Sequence, residues 1–415
     1  PRSTLFPYTT LFRSRTGTKH EHTFQLGLTG IDFASEGPFK KGNKSSYLFN
    51  YRYSTLALLK SLVPENGEDV KYQDLSFKLN FPTKKSGTFS VWGIGLIDKS
   101  GQKVKENSND WKYDSDKERQ DVKQYMGAAG IGHKIFFTKK SYLKTTLATT
   151  MSGIDMITDE MNNTAQLLPQ NRINNKTLNV VLSSFVNTKF NARHTNKTGF
   201  TATAMMYDIL LKNSPQQGQP ISTLVDENGS SCLLSAFSNS TFNLSDRLTL
   251  NGGINFQLFA LNHNYTIEPR VGMKYQLDPS QTISFAYGLH SRLERLNYYF
   301  TKNSLYGTAP VNKNMDFTKA HHLVLGYDLN ISEHVHLKAE AYFQQLFNVP
   351  VIKDSSFSFL NLHNDWFFNG KLQNTGKGRN YGLDISLDKY MSKGYYYILT
   401  ASLFNSEYRG GDNPV

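Results

Sequence analysis

The feature that most constrains this chain is an alternation of apolar and polar residues with a period of two, repeated along almost its whole length. From Gln73 onward, Leu75, Phe77, Leu79 and Phe81 alternate with Asp74, Ser76, Lys78 and Asn80. Further on, Ile283, Phe285, Tyr287 and Leu289 alternate with Thr282, Ser284, Ala286, Gly288 and His290. Near the end, Tyr381, Leu383, Ile385 and Leu387 oppose Gly382, Asp384, Ser386 and Asp388. Successive side chains of a strand point to opposite faces, so each such segment carries one apolar and one polar face. About sixteen segments of this kind occur, the first near Thr23 and the last near Gly394, most of them about 10 to 14 residues long. That exceeds the five or six residues typical of a globular sheet. It suits a tilted strand that crosses a bilayer with about 9–11 residues in the hydrocarbon.

The connections alternate as well. Short ones run from Pro82 to Gly87, Thr138 to Ser141, Asn243 to Asp246, Asp278 to Ser280 and Met391 to Lys393. Long polar ones run from Asp98 to Lys123, Ile154 to Lys176, Lys212 to Gly229, Arg292 to Lys319 and Pro350 to Lys377. Tight turns on one side and long loops on the other predict an all-β, antiparallel transmembrane β-barrel. The join from Asn262 to Asn264 departs from the rule, being short where a long loop is due. A short helix is expected only over Thr55 to Leu62, and Pro269 predicts a bulge or a missing ladder bond in its strand.

Composition narrows the alternatives. With 38% apolar residues and a mean hydropathy of −0.48 over 415 residues, a bundle of membrane-spanning helices is excluded. The one cysteine, Cys232, excludes an intramolecular disulfide framework. The 46 Lys and Arg against 34 Asp and Glu leave a net charge of +12, but the cations are spread over turns and polar faces, which argues against nucleic acid as a partner. No phosphate loop, zinc-protease motif or nucleophile elbow is present, so neither an enzyme nor a resident metal or cofactor is expected. The pairs His20/His22 and His321-His322 read as strand-end histidines. His290-Ser291-Arg292 with Glu294 lacks the strand–turn–helix context of a hydrolase.

In a barrel the apolar row meets lipid and the polar row lines the lumen. The charges expected in the lumen are Glu268, Arg270 and Lys274, then Lys338 and Glu340, then Asp384 and Asp388. The ligand-contacting residues are sought among loop aromatics, where rings can stack on sugars or planar chelates: Trp111 and Tyr113, then Tyr298, Tyr299 and Phe300, then Trp366, Phe367 and Phe368. The alternative is that these rings pack on one another or sit in the interfacial girdle.

Several stretches carry a family resemblance. Gly37-Pro38-Phe39-Lys40-Lys41-Gly42, Tyr72-Gln73-Asp74-Leu75-Ser76-Phe77-Lys78, Ile267-Glu268-Pro269-Arg270, Asn374-Thr375-Gly376 and Gly378-Arg379-Asn380-Tyr381-Gly382 resemble TonB-dependent outer-membrane receptors. The likeness is to the Bacteroidota type with an N-terminal carboxypeptidase-regulatory-like domain, and it spans nearly everything after the first 22 residues. It implies a barrel of about 22 strands in the bacterial outer membrane, filled by a plug and driven by the TonB–ExbB–ExbD complex through a TonB box. On that reading residues 15–415 are a partial barrel domain, with strands two to seventeen present and edges at Thr23–Phe33 and Gly394–Asn405. Plug and TonB box are missing from the chain, and residues 1–14 read as a non-native, adapter-like segment. The function implied is energy-coupled import of a ligand too large for porins: a siderophore or other metal chelate, a glycan or a peptide. A passive porin or structural barrel is the first alternative, and a soluble β-rich lectin or enzyme the second.

If the short turns are periplasmic, cysteines introduced at Lys84, Lys139 or Ser280 will resist an impermeant thiol reagent on intact cells. Cysteines at Asn109, Asn163 or Asn303 will label. The reverse pattern refutes the orientation.

Overall fold

The computed structural model describes residues 19–412, apart from 28–29, 43, 55–70, 106, 108, 110, 304, 306, 308 and 362–365. The adapter-like segment and the helix expected over Thr55–Leu62 lie outside the described residues. Seventeen strands form one antiparallel sheet. They are β1 (Glu21–Leu26), β2 (Gly30–Pro38), β3 (Ser46–Ser54), β4 (Lys71–Pro82), β5 (Thr88–Gln102) and β6 (Glu118–Thr138). Next come β7 (Ser141–Met161), β8 (Leu167–Lys189), β9 (His194–Asn213), β10 (Ser222–Asn243), β11 (Leu248–Phe259) and β12 (Asn264–Asp278). The last are β13 (Gln281–Arg292), β14 (Thr318–Ser332), β15 (Val335–Ile352), β16 (Leu372–Ser392) and β17 (Tyr395–Arg409). One short helix, α1 (Leu296–Tyr299), precedes β14. Among the described residues no helix is long and apolar enough to cross a membrane.

The expected first strand is instead a hairpin. Gly27 and Gly30 exchange backbone hydrogen bonds, so the chain reverses between β1 and β2 and one strand is added to the expected count. The short turns fall where the alternation stops. At one of the two-residue turns, Lys393 and Gly394 both hold positive φ, 53° and 86°. Two such residues in succession make the primed turn whose twist matches the flanking strands. By contrast, two of the expected long loops are mostly strand. The chain turns within residues 162–166 between β7 and β8 and within 214–221 between β9 and β10. Strands β6 to β10 reach 20 to 23 residues, about twice what the hydrocarbon needs. Beyond the hydrocarbon no lipid face is required, so apolar alternation ends while backbone pairing continues.

The chain divides into two compact units: residues 1–136, 143–184 and 202–231, and residues 137–142, 185–201 and 232–415. In the first, register aligns Phe33, Tyr51 and Leu75 on one face and Asp32, Arg52 and Asp74 on the other. Arg52 Nε donates to Asp74 Oδ2 at 2.9 Å, and Asn50 donates to Asp32 at 2.8 Å. Beyond the apolar stretch, Asp159 is buried between the guanidinium groups of Arg119 and Arg172, which ties β6, β7 and β8 together through side chains. At Gly93 a Cβ would come 2.6 Å from the ring of Phe77, so only glycine lets that ring lie across β5.

In the second unit the pairings from β11 to β17 put Ile254, Ile267, Phe285, Leu325, Phe343, Leu383 and Leu403 on one face, all exposed. The other face is polar. Pro269 pairs in register with Ile254 without a bulge. On its other side the ladder to β13 begins only at Arg270 opposite Gly288, so of the two outcomes expected at Pro269 the ladder interruption is the one found.

An exposed apolar row can be stable only in hydrocarbon. Leu403→Arg should therefore destabilise the assembled protein by about 2–4 kcal/mol. Its neighbour Ser402→Arg, which faces Asp384 on the polar side, should be tolerated. Equal heat-modifiability of the two variants on gels contradicts the face assignment.

Candidate functional site

The polar face of β11–β17 gathers every charge singled out in the sequence. Lys274 lies opposite Thr249 and Ser284, Glu340 opposite Gly326 and Asp384, and Lys338 opposite Asp328 and Ser386. Asp388 lies opposite His336 and Ile398. Lys338 Nζ and Glu340 Oε2 are 2.6 Å apart, and Ser386 donates to Asp388 at 2.8 Å. The most constrained member is Glu268, at 1% exposure. A buried carboxylate is tolerated only when its oxygens are occupied. Here Asn255 donates to Oε2 at 3.0 Å, Gln257 to Oε1 at 2.6 Å, Arg270 to Oε2 at 2.8 Å, and Ser291 to Oε1. The break in the ladder beside Pro269 leaves Ser291 on this carboxylate. That hydroxyl is therefore a structural donor, and Glu294 pairs instead with Arg292 and Thr318.

The loop aromatics divide into two groups. In the connection between β5 and β6, Lys105 and Asp116 clamp the chain: their backbones bond at 3.0 Å and their side chains at 2.8 Å. Inside the clamp Trp111 is half-buried, its indole N–H donating to the Lys105 carbonyl at 2.9 Å. Tyr113 projects outward at 72% exposure. The Lys105 ammonium, then the N–H groups of Tyr113 and Lys112, hold the Asp116 carboxyl down at about 2. Asp116 lies within a 3-10 turn over Asp114–Lys117, which carries its carboxylate back to those amides.

The connections between β13 and β14 and between β15 and β16 form a small core of their own. Tyr298 is 1% exposed and meets Phe359 edge-on at 4.5 Å, while Phe357 stacks on Phe368 at 5.4 Å. Tyr299 is fully buried against Phe259 at 5.5 Å, and burial pushes its hydroxyl far above the usual tyrosine value. Tyr298, Tyr299, Phe300 and Phe368 thus have their rings in protein, which is the packing alternative of the sequence reading. Trp366 and Phe367 remain half-buried, with the Arg295 guanidinium 4.4 Å over the Trp366 ring. Asparagines tie this core to the strands. Asn312 donates to the Gly370 carbonyl and accepts from the Leu372 N–H, Asn348 donates to Asp316, and Asn374 donates to the Asn348 carbonyl. Asn262 donates to the Met315 carbonyl at 2.8 Å, so the β13–β14 connection packs against the short β11–β12 join. The sequence does not mark any of these asparagines as a pin, because loops are rich in asparagine and only the partners distinguish a pin from a solvated side chain.

A carboxyl held below its unfolded value stabilises above the unfolded value, about 3.9, and that contribution fades as pH falls through the folded value. The clamp around Trp111 should therefore hold at neutral pH and loosen between about 4 and 2. Pepsin cleavage of this loop should rise across that window, and Asp116→Ala should speed tryptic cleavage at Lys112 at neutral pH. A cleavage rate unchanged by the substitution refutes the clamp.

Comparison with known proteins places this architecture. Residues 64–415 match the family described as TonB dependent receptor-like, beta-barrel. No curated protein matches by sequence. Among solved structures, the pyoverdine outer membrane receptor FpvA from Pseudomonas aeruginosa PAO1 superposes with a TM-score of 0.69 at 12% identity, over 95% of this chain and 63% of its own. The ferric yersiniabactin uptake receptor FyuA from Yersinia pestis gives 0.67 at 12%, over 95% and 62%. The RagAB peptide importer gives 0.60 at 12%, over 91% and 50%. The chain thus spans between half and two thirds of the length of these structures. With its family matched over most of its length and its strands paired in sequence order, the chain belongs to the TonB-dependent receptor-like β-barrels of the bacterial outer membrane.

Proposed function

We propose that this chain is the barrel wall of an energy-coupled importer, driven by TonB–ExbB–ExbD, for a ligand too large for porins. The observation that carries the reading is the division of faces within a family of receptors. An exposed apolar row faces lipid, while a row of paired charges and amides, with Glu268 and Arg270 at its most ordered point, lines the ligand's path. Transport requires no covalent step, and the loop geometry supplies what recognition requires. Tyr113 is presented outward by the Asp116 clamp, and Trp366 and Phe367 stand at the surface of a packed loop core. Siderophore receptors and a peptide importer both occur among the structural neighbours, so a metal chelate, a peptide and a glycan all remain within the proposed ligand class. The sequence stretches quoted above favour the Bacteroidota type, with a carboxypeptidase-regulatory-like domain and a plug in the complete protein.

Uptake by the complete protein should cease in cells lacking TonB. Replacing Tyr113 and Trp366 with Ala should remove about 1 kcal/mol per ring contact. The pair together should weaken uptake affinity by roughly tenfold or more while the protein stays surface-exposed. Uptake that persists without TonB refutes energy coupling and favours a passive pore. Uptake at the unaltered rate in the double variant removes both rings from ligand recognition.

A further inference from the structure

The polar face of the second unit contains a depression of about 390 Å³, and its origin lies in the register. Arg270 is flanked by glycine on both neighbouring strands, Gly253 on β11 and Gly288 on β13, and His322 on β14 continues the same row. The next row holds Gly272 between Asn251 and Ala286. Side chains are missing where a sheet would normally carry them, and the space is lined instead by Arg270, His290, His322, Asn239 and Asn251.

These groups are arranged for a guest. His290 lies over Gly288, where a Cβ would come 2.7 Å from its Nε2, and its ring centroid is 4.7 Å from that of His322. Neither imidazole has a side-chain hydrogen-bond partner among the described residues. His321 does not join them, because consecutive strand residues face opposite sides; it stacks on Tyr287 and Phe347. Arg270 is held from behind: one guanidinium nitrogen is fixed to the buried Glu268, itself pinned by Asn255, Gln257 and Ser291. A guanidinium has five donors in a fixed fork, so this anchoring leaves others directed at the depression. Glu268 has its oxygens occupied and is a positioning residue, not a ligand.

We propose that this depression binds a carboxylate or phosphate group of a small molecule. A cation is disfavoured by the guanidinium. An acidic side chain of a polypeptide would fill only part of the space, whereas about 300 Å³ or more is the usual size of a small-molecule site. The site extends the reading of the polar face as a ligand path, but equilibrium binding is independent of energy coupling. Failure of TonB-dependent uptake would leave it standing, and its own failure would leave import standing.

The test is calorimetric titration of the complete protein in detergent with inorganic phosphate and with acetate. Saturable binding is expected, weakened at least about tenfold by Arg270→Gln and by the double replacement of His290 and His322 with Ala. Gly272→Val fills the depression without removing a donor; only ordinary contacts, at 3.7 Å or more, surround a Cβ there. It should abolish binding. Lys139→Gln, in the β6–β7 turn and off the polar face, should leave it unchanged. The absence of saturable binding by the unsubstituted protein, or binding by Arg270→Gln or Gly272→Val as tight as its own, overturns the proposal.

Discussion

Inside hydrocarbon there is no water to accept a backbone N–H or to donate to a carbonyl, and everything else in this molecule depends on satisfying those groups within the sheet. The solution is an antiparallel ladder in which each strand pairs with the next in sequence. Because side chains alternate, choosing the register of one pair chooses the face of every residue in it. A slip of one residue between β11 and β12 would turn Glu268, Arg270 and Lys274 toward lipid, at about 2–4 kcal/mol for each cation near the midplane. The same slip would bring Ile267 and Val271 to the polar side. The alternation thus does two things at once. It holds the sheet in the membrane, and it fixes where the charges stand relative to one another.

Where the ladder is interrupted, chemistry appears. Pro269 cannot donate to a ladder, and beyond Arg270 the pairing with β13 stops. That interruption lets Ser291 reach the Glu268 carboxylate, which becomes a fully occupied anchor for Arg270. The flanking glycines complete the effect. Glycine in a strand interior weakens it and lacks a side chain to pack, so its placement on both sides of one arginine leaves room rather than stability. The β12–β13 ladder ends beside the cation that the buried carboxylate holds.

How much of this was legible follows from which forces leave a trace in sequence. Strand segments in hydrocarbon were readable because a lipid face and a polar face must alternate, and the seven charges fell on one face as the pattern required. The outer parts of β6 to β10 were not, since paired backbone outside the membrane needs no apolar row; the stretch through Thr158, Asp159 and Glu160 reads as loop yet is strand, held by Arg119 and Arg172. The hairpin at Gly27 and Gly30 was hidden because two short strands in succession look like one long one. Tyr298 and Tyr299 could not be separated from Trp366 by composition, because an aromatic residue in a loop serves equally to build a core or to face a ligand. Only contact partners distinguish them. The depression around Arg270 was invisible for a related reason: a glycine is informative only once its cross-strand neighbour is known.

The two loop systems reach order by different means, and this bears on how each can recognise anything. Among its described residues the β5–β6 connection is closed by the Lys105–Asp116 ion pair, two amides on the same carboxylate and an indole bond, all electrostatic or polar in origin. Such a loop is local, pH-dependent and inexpensive to reopen. The loops around Tyr298 and Phe368 bury aromatic rings and are bolted to strand ends by Asn312, Asn348 and Asn374, so their conformational entropy is already spent before any ligand arrives. A preformed surface binds without the ordering cost that a flexible one must meet, roughly 0.5–1.5 kcal/mol for each side chain immobilised. Trp366, fixed under Arg295 at the edge of that core, therefore offers a rigid platform. Tyr113, projecting from a clamp that one carboxylate holds shut, offers an adjustable one. On the proposed reading, in which a ligand is captured and then released inward, both have a use.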